Sequence, residues 1–175
     1  MKHGGIENKI CIYREGDGHM AIRCISKAVI LQNDSVLLNR CKREDGNIYY
    51  SLPGGGQNIY ETLEQAVVRE VKEETGYDVC VNGFIALLEE IYTNNDTRAK
   101  FPTYTHRISH IFQASLISDK KEVPTEKDFE MEDSVWMSLS NMKQLSEVCS
   151  PWLLKLLYNL KKGNTPMYLG TEYID

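Results

Sequence analysis

Residues 52–77 read LPGGGQNIYETLEQAVVREVKEETGY, and this stretch decides the fold. Three consecutive glycines lead into a short polar loop, which leads into a segment rich in glutamate. Thr62, followed three residues later by Gln65, is a capping-box start for a helix. Gly76 is suited to end that helix in a left-handed conformation. Between these ends apolar residues recur at helical spacing, so the stretch predicts a glycine turn and an amphipathic helix. The apolar positions are Leu63, Ala66, Val67 and Val71.

Three glutamates of this helix, Glu70, Glu73 and Glu74, lie within about one third of its circumference at ~100° per residue. They extend the apolar stripe instead of opposing it. Like charges at these spacings repel, and partial burial increases the repulsion. A hard divalent cation, Mg2+ or Mn2+, would relieve the repulsion with oxygen ligands. The alternative is a solvated acidic patch, which the adjacent glycines and the apolar stripe disfavour.

Position by position, the stretch resembles the Nudix box, G-x5-E-x7-R-E-U-x-E-E-x-G-U, where U is a bulky apolar residue. The matching residues are Gly55, Glu61, Arg69, Glu70, Val71, Glu73, Glu74 and Gly76. Tyr77 fills the last position, where an aliphatic residue is commoner. The resemblance implies an α/β protein with the Nudix fold, an α/β/α sandwich with a mixed β-sheet. We expect a single domain over residues 1–175, with 1–20 and 163–175 peripheral.

The remaining sequence predicts elements that complete such a sandwich. Strands are predicted at 22–31, 35–39, 48–52, within 79–92, at 104–117 and at 134–139. Polar or charged loops are predicted at 1–20, 40–47, 93–103 and 118–133. Ser140 would cap a short helix through Leu145, and Ser150 as N-cap with Pro151 in the first turn would open a final helix that ends at Gly163. The aromatic tail after Gly163 is expected to pack either on the body of the protein or on a partner.

Composition sets the broad class of protein. The 175 residues are enough for one well-packed domain, and the net charge of −5 argues against a surface that coats nucleic acid. Five scattered cysteines without CxxC spacing favour reduced thiols over disulfides or a zinc site. No apolar run approaches the ~18 residues of a membrane span. We therefore expect a cytoplasmic protein with a small-molecule nucleotide as partner; a homodimer is left open.

The resemblance also implies a reaction, the metal-dependent hydrolysis of a phosphoanhydride. It places the Gly55 carbonyl, Glu70, Glu73 and Glu74 among the metal ligands, with Glu73 and Glu74 also catalytic. Glu61 and Arg69 resemble the pair that holds the loop and orients the cluster. Divalent ions neutralise a diphosphate, polarise phosphorus and lower the pKa of a bound water.

A further catalytic carboxylate is expected outside the box. Glu130 and Glu132 lie just before a predicted strand, where relatives often carry an additional metal-binding or catalytic glutamate. We predict that one of these two is the further catalytic carboxylate. The alternatives are Glu89, Glu90 and Glu126.

Substrate-binding residues are predicted outside the box. Arg23 and Arg40 are placed to meet phosphates. His106 and His110 share one face of a strand and, without a third ligand, suit substrate contact better than zinc. Tyr92 occupies a position that is associated, in this family, with hydrolases of dinucleoside polyphosphates.

The expected substrate is a nucleoside diphosphate linked to another group: a nucleoside triphosphate, a nucleotide sugar, ADP-ribose or a dinucleoside polyphosphate. Two alternatives remain. One is a different metal-dependent phosphohydrolase with a coincidental box, and the other is a non-catalytic nucleotide-sensing module.

Overall fold

A computed structural model describes residues 22–126 and 130–175, with the backbone alone at 142–144. The loop predicted for residues 1–20 lies outside the described residues. Within these ranges the chain forms eight strands and four helices. The strands are β1 (Arg23–Gln32), β2 (Ser35–Lys42), β3 (Ile48–Ser51), β4 (Gly54–Gly56), β5 (Val79–Tyr92), β6 (His106–Leu116), β7 (Met131–Ser138) and β8 (Met167–Ile174). The helices are α1 (Leu63–Thr75), α2 (Asn95–Lys100), α3 (Met142–Val148) and α4 (Pro151–Lys161).

The strands form a mixed sheet in the order β3-β2-β1-β6-β5-β8, with β4 paired to β1 and β7 paired to β2. The β1–β6 and β5–β8 pairs are parallel, and the remaining pairs are antiparallel. β1 and β2 meet as the predicted hairpin, with Asn33 and Asp34 at positive φ in the turn. Asn and Asp are the residues that tolerate this conformation best after glycine.

Alternation along β1 divides the core into two layers, because successive side chains point to opposite faces of a sheet. Ala28 and Ile30 pack with Val67 and Val71 of α1 on one face. On the other face, Val29 joins a cluster that includes buried leucines of α3 and α4. Helices therefore cover both faces of a mixed sheet, which confirms the predicted α/β/α sandwich.

The helix α1 begins and ends as its sequence predicts. The Thr62 side chain accepts from the Gln65 backbone N–H, and the Gln65 side chain accepts from the Thr62 N–H, which completes the capping box. Gly76 takes a left-handed conformation at φ 77° and donates to the Lys72 carbonyl. Tyr77, the unusual last residue of the box, packs edge-on against Trp136 of β7 with ring centroids 6.3 Å apart. An aromatic residue at this position therefore joins α1 to the sheet.

Several predicted boundaries are wrong. The predicted loop 93–103 contains α2, because the Asn94 side chain accepts from the Thr97 N–H and caps a short helix. β2 continues to Lys42 and β7 starts at Met131, since the two strands pair with each other there, so the loops predicted at 40–47 and 118–133 are shorter. α3 covers Met142–Val148, so it begins two residues after Ser140, the predicted cap, and continues beyond Leu145. The charged residues at the ends of β2 and β7 made these segments resemble loops in the sequence. Backbone pairing between strands does not require apolar side chains, so both strands continue through the charged residues.

The C-terminal tail packs on the body of the protein. It forms β8, which pairs in parallel with β5 at the edge of the sheet, and Leu169 is buried in the core cluster that contains α4. The helix α4 packs on the core through Leu153, Leu156 and Leu157, which are buried. In the described part of the chain, no helix combines the length and hydropathy that a membrane span requires.

Candidate active site

The three glycines form the short strand β4, which lies antiparallel beside β1 with Gly54 opposite Lys27 and Gly56 opposite Ile25. Gly54 has φ 133°, and a Cβ there would lie 2.1 Å from the Ser26 carbonyl oxygen. Only glycine permits this approach of two backbones. The sequence predicted a turn here, and pairing with β1 makes it a strand.

A cavity of about 380 Å³ lies between this strand, α1 and the ends of β1 and β6. Four carboxylates and four cationic side chains are among its lining residues, so their formal charges balance. The lining residues are Arg23, Ile25, Lys27, Gly54, Gly55, Gly56, Asn58, Arg69, Glu70, Glu73, Glu74, Tyr104, Arg107 and Glu126. The glutamates predicted from the box thus meet at one place with the predicted Gly55 and Arg23.

Glu74 is the most buried of the three box glutamates, at 5% exposure. Its Oε2 accepts 2.8 Å hydrogen bonds from the Gly54 backbone N–H and from Asn39 Nδ2. The Asn39 amide is oriented in turn by Ser134, whose hydroxyl donates to Oδ1 over 3.0 Å. Sequence reasoning missed Asn39, because it lies on β2, 35 residues before its partner, and carries no local signal.

Arg69 uses all five of its N–H donors inside the site. Nε and Nη2 donate to the two carboxylate oxygens of Glu61 over 2.8 and 2.9 Å, and Nη2 also donates to the Gly56 carbonyl over 3.0 Å. Nη1 donates to Glu70 and Glu73, each over 2.8 Å. The bonds to Glu61 are the largest cause that raises the pKa of Arg69. Arg69 therefore ties the glycine strand to α1 and shares its charge with two box glutamates.

The same hydrogen bonds hold the pKa of the Glu61 carboxyl below its usual range, against a smaller opposing effect of desolvation. A depressed folded-state pKa contributes stability above the unfolded pKa and loses it as the pH falls through the folded value. We therefore expect Glu61→Gln to lower the free energy of unfolding by a constant amount above about pH 5, with the deficit shrinking at more acid pH. Urea denaturation of both proteins from pH 3 to 8 measures this, and a deficit that stays constant down to pH 3 would contradict it.

The donor chemistry of the cluster fits a hard divalent ion. Gly55 faces Glu70 so closely that a Cβ on Gly55 would lie 2.5 Å from Glu70 Oε2. Carboxylate and backbone carbonyl oxygens are the ligands that Mg2+ and Mn2+ take in proteins. Across residues 22–126 and 130–175, however, no three acidic, histidine or cysteine side chains converge as a preassembled metal-binding group. In this structure, Arg69 Nη1 donates to the carboxylates of both Glu70 and Glu73.

The carboxylate outside the box that reaches the cavity is Glu126. The loop after β6 folds back on the C-terminal end of α1, where the N–H groups of Thr125 and Glu126 donate to the Glu73 carbonyl. Glu130 and Glu132, the residues predicted for this place, do not line the cavity. Glu130 accepts from the Tyr49 hydroxyl, and Glu132 pairs with Arg40.

The predicted substrate-binding residues divide between two locations. Arg23 lines the cavity, with its guanidinium 4.1 Å from the centre of the Tyr104 ring. Arg40 does not line it and pairs with Glu132 instead. Tyr92 lies outside it but stacks with Arg107, which the prediction overlooked and which does line the cavity.

His106 and His110 share one face of β6, as predicted, but neither lines the cavity. His106 contacts Glu89 through Nε2 at 2.9 Å, and His110 lies 3.4 Å from the Ile25 carbonyl. The alternation of β6 puts Arg107 on the opposite face from both histidines. Glu89, the partner of His106, also does not line the cavity.

Comparison with known proteins agrees with this geometry. The sequence pattern of the NUDIX domain matches residues 23–156, and the chain belongs to this family. It is 34% identical over 117 residues to an NAD-capped RNA hydrolase, NudC, of Pseudomonas aeruginosa, a match that covers 67% of this chain and 36% of that protein. It is 27% identical over 118 residues to an ADP-ribose pyrophosphatase of Methanocaldococcus jannaschii, which covers 67% of this chain and 63% of that protein.

Solved structures share the fold. A NUDIX hydrolase from Nitrosomonas europaea superimposes with a TM-score of 0.66 at 20% identity, over 83% of this chain and 92% of that one. A MutT protein from Methanosarcina mazei gives 0.60 at 20% identity, over 82% and 95%. The chain spans about a third of the Pseudomonas protein and under two thirds of the Methanocaldococcus protein.

Proposed function

We propose that this protein is a pyrophosphohydrolase that uses Mg2+ or Mn2+ to hydrolyse a phosphoanhydride bond in a nucleoside diphosphate linked to another group. One observation carries the proposal. Glu70, Glu73 and Glu74 line a cavity together with a bare glycine backbone and the cations Arg23, Lys27 and Arg107. Carboxylates suit a divalent ion, and arginine and lysine suit phosphate oxygens, so the two sets of side chains match the two partners of a metal–diphosphate complex.

The proposed ligands are the Gly55 carbonyl and the carboxylates of Glu70, Glu73 and Glu74. When bound there, a divalent ion would neutralise the diphosphate, polarise phosphorus and lower the pKa of water. The protein holds Glu74 by two hydrogen bonds and holds Glu70 and Glu73 through Arg69. Binding would therefore take place in competition with Arg69, which remains anchored by Glu61. We assign Glu61 and Arg69 this supporting role.

Glu126 is the proposed general base, in place of Glu130 or Glu132. Its backbone is tied to the Glu73 carbonyl, and its side chain lines the same cavity as the box glutamates. A carboxylate in this position can accept a proton from the attacking water while the box glutamates remain occupied with the ion. Glu73 and Glu74 serve catalysis by holding that ion.

The relatives support a hydrolase that acts on nucleotide derivatives. The Pseudomonas protein is named for hydrolysis of NAD-capped RNA and the Methanocaldococcus protein for a pyrophosphatase activity on ADP-ribose. One solved structure of the same fold is a UDP-X diphosphatase, with a TM-score of 0.57 at 17% identity. These substrates differ, so we propose the type of bond that is hydrolysed, a phosphoanhydride, and not a particular compound.

A substrate panel tests the proposal. Nucleoside triphosphates, nucleotide sugars, ADP-ribose, NAD and dinucleoside polyphosphates are incubated with the protein and Mg2+, and the products are resolved by chromatography. We expect cleavage of a phosphoanhydride bond with release of a nucleoside phosphate in at least one class. Tight nucleotide binding without turnover of any member, with or without metal, would instead identify a nucleotide-sensing module.

Metal binding makes a separate prediction. Mg2+ or Mn2+ should raise the melting temperature, because the ion binds the folded carboxylate cluster and not the unfolded chain. At a metal concentration of about 100 times Kd the gain corresponds to about 5 °C or more for a chain of this size. Differential scanning fluorimetry measures the shift, with the Glu70→Gln/Glu74→Gln double variant as control. Equal shifts in both proteins would contradict specific binding at this cluster.

A further inference from the structure

Of the three arginines that line the cavity, Arg69 and Arg107 have surroundings that differ. Arg69 donates all five of its N–H groups to protein oxygens, so it links α1 to the glycine strand. Among the described residues, the Arg107 side chain makes one hydrogen bond, from Nη2 to Glu90 Oε1 over 2.7 Å, and its guanidinium carbon lies 5.2 Å from the centre of the Tyr92 ring. Its Nε is buried and has no hydrogen-bond partner among the described residues. A guanidinium that lines a cavity with unused donors is equipped to bind a ligand.

The position of Arg107 is fixed from the side away from the cavity. Glu90, at 7% exposure, pairs with it and also accepts from the Ser109 hydroxyl over 3.2 Å. Glu172 of β8 lies beside Glu90 in the β5–β8 register. Burial, and then the charge of Glu90, raise the pKa of Glu172. Arg107, Glu90 and Glu172 thus form a row across three strands, with the arginine at the cavity end.

Two more cations, Arg23 and Lys27, line the same cavity, and neither has a salt-bridge partner in the described part of the chain. Arg23 contacts the Tyr104 ring, and Lys27 Nζ lies 3.4 Å from the Leu52 carbonyl. Both side chains line the cavity. Glu90 is therefore the one carboxylate that forms a salt bridge with this group of three cations within residues 22–126 and 130–175. Phosphate oxygens of a ligand would supply further acceptors for these three cations.

We propose that Arg23, Lys27 and Arg107 form a phosphate-binding subsite that does not depend on the metal ion, and that Glu90 is the positioning residue for Arg107. The inference rests on the proposed function in one respect, that the phosphate belongs to the substrate. The fork of the Arg107 guanidinium can donate two parallel hydrogen bonds to phosphate oxygens. Tyr92 supports that fork from its ring face, which gives this predicted residue an indirect part in binding.

Isothermal titration with inorganic pyrophosphate in EDTA tests the subsite without turnover. The wild-type protein should bind pyrophosphate, and Arg107→Met should bind it about ten- to a hundredfold more weakly, the loss expected for a charge-assisted hydrogen bond. The matched control is Arg43→Met. Arg43 also stacks on a tyrosine, 4.7 Å from the Tyr49 ring, but does not line the cavity. Its removal should leave the affinity within about twofold.

Arg107→Met also leaves Glu90 buried without its cation, so the variant has a stability cost of its own. Arg23→Met provides a second variant, because it leaves no carboxylate without a partner, and it should also weaken pyrophosphate binding. Unchanged affinity in the folded arginine variants would overturn the subsite, as would absence of binding to the wild type in EDTA. Binding in EDTA without hydrolysis of the substrate panel would instead overturn the proposed function and leave the subsite standing.

The positioning role of Glu90 is tested by whether Glu90→Gln strengthens or weakens pyrophosphate binding. Removing a negative charge near an anion site should by itself strengthen pyrophosphate binding. If Glu90 positions Arg107, Glu90→Gln should weaken it. The control is Glu89→Gln, the neighbouring carboxylate on the opposite face, which bonds His106 and Thr171 across the same three strands. Glu89→Gln should leave the affinity unchanged, and stronger binding by Glu90→Gln would contradict the positioning role.

Discussion

Replacing Glu74 by glutamine should lower kcat by about three orders of magnitude or more while the protein remains folded. Glutamine keeps an oxygen that can accept from Gly54 and Asn39, the two donors to Glu74 Oε2. It removes the negative charge that would hold the ion. Metal catalysis is worth several kcal/mol of transition-state stabilisation, and each 1.36 kcal/mol is about tenfold in rate. Turnover at saturating Mg2+ measures the loss, and a thermal melt checks the fold.

The matched control for this prediction is Glu64→Gln. Glu64 lies in the first turn of the same helix but does not line the cavity. Its replacement removes the same charge from α1 and should leave kcat close to that of the wild type. Glu73→Gln should behave as Glu74→Gln does. Near-normal turnover in either cavity variant would show that the assigned metal ligands are wrong.

The second large effect concerns the glycine strand. Two neighbouring substitutions there should have different effects, one mainly on stability and the other mainly on activity. Gly54→Ala puts a Cβ 2.1 Å from the Ser26 carbonyl oxygen and 2.6 Å from Lys27 Cα, at φ 133°. Backbone atoms cannot move aside cheaply, so we expect unfolding to become easier by about 3 kcal/mol or more. Gly55→Ala meets only the end of the Glu70 side chain, at 2.5 Å. We expect a smaller loss of stability, about 1 kcal/mol, together with a large loss of activity as Glu70 is displaced.

Urea denaturation and turnover assays on both glycine variants separate the two effects. A Gly54→Ala protein within about 1 kcal/mol of the wild type would contradict the close pairing of β4 with β1. A Gly55→Ala protein with full activity would contradict the placement of Glu70 beside the Gly55 backbone.

Local features of the site were predictable because their causes are local. The capping box, the left-handed Gly76 and the spacing of Glu70, Glu73 and Glu74 are properties of one helix, and the structure has each of them where the sequence indicates. The two-residue period of β6 likewise put both histidines on one face. Which face of β6 meets the cavity depends on sheet topology, which the period does not encode.

The features that were missed depend on contacts between distant segments. Asn39, Lys27 and Arg107 come to the site on three different strands, and none has a recognisable motif. The sequence favours Glu130 and Glu132 over Glu126, because they lie nearer to the predicted strand. The path of the loop brings Glu126 to the cavity, since the Glu122 N–H donates to the Gly76 carbonyl and the loop then follows the end of α1 as far as Glu126. Nothing in the composition of that segment indicates this path.

The most direct test of the proposed reaction is hydrolysis in H2(18)O. Mass spectrometry of the products, with a compound that the panel shows to be cleaved, follows the bond that water forms. The site predicts one atom of 18O in one phosphate of the products, incorporation that requires Mg2+ or Mn2+, and loss of both turnover and label in Glu74→Gln. Turnover that proceeds without divalent metal, or products without the label, would contradict metal-assisted attack of water on phosphorus at this cluster.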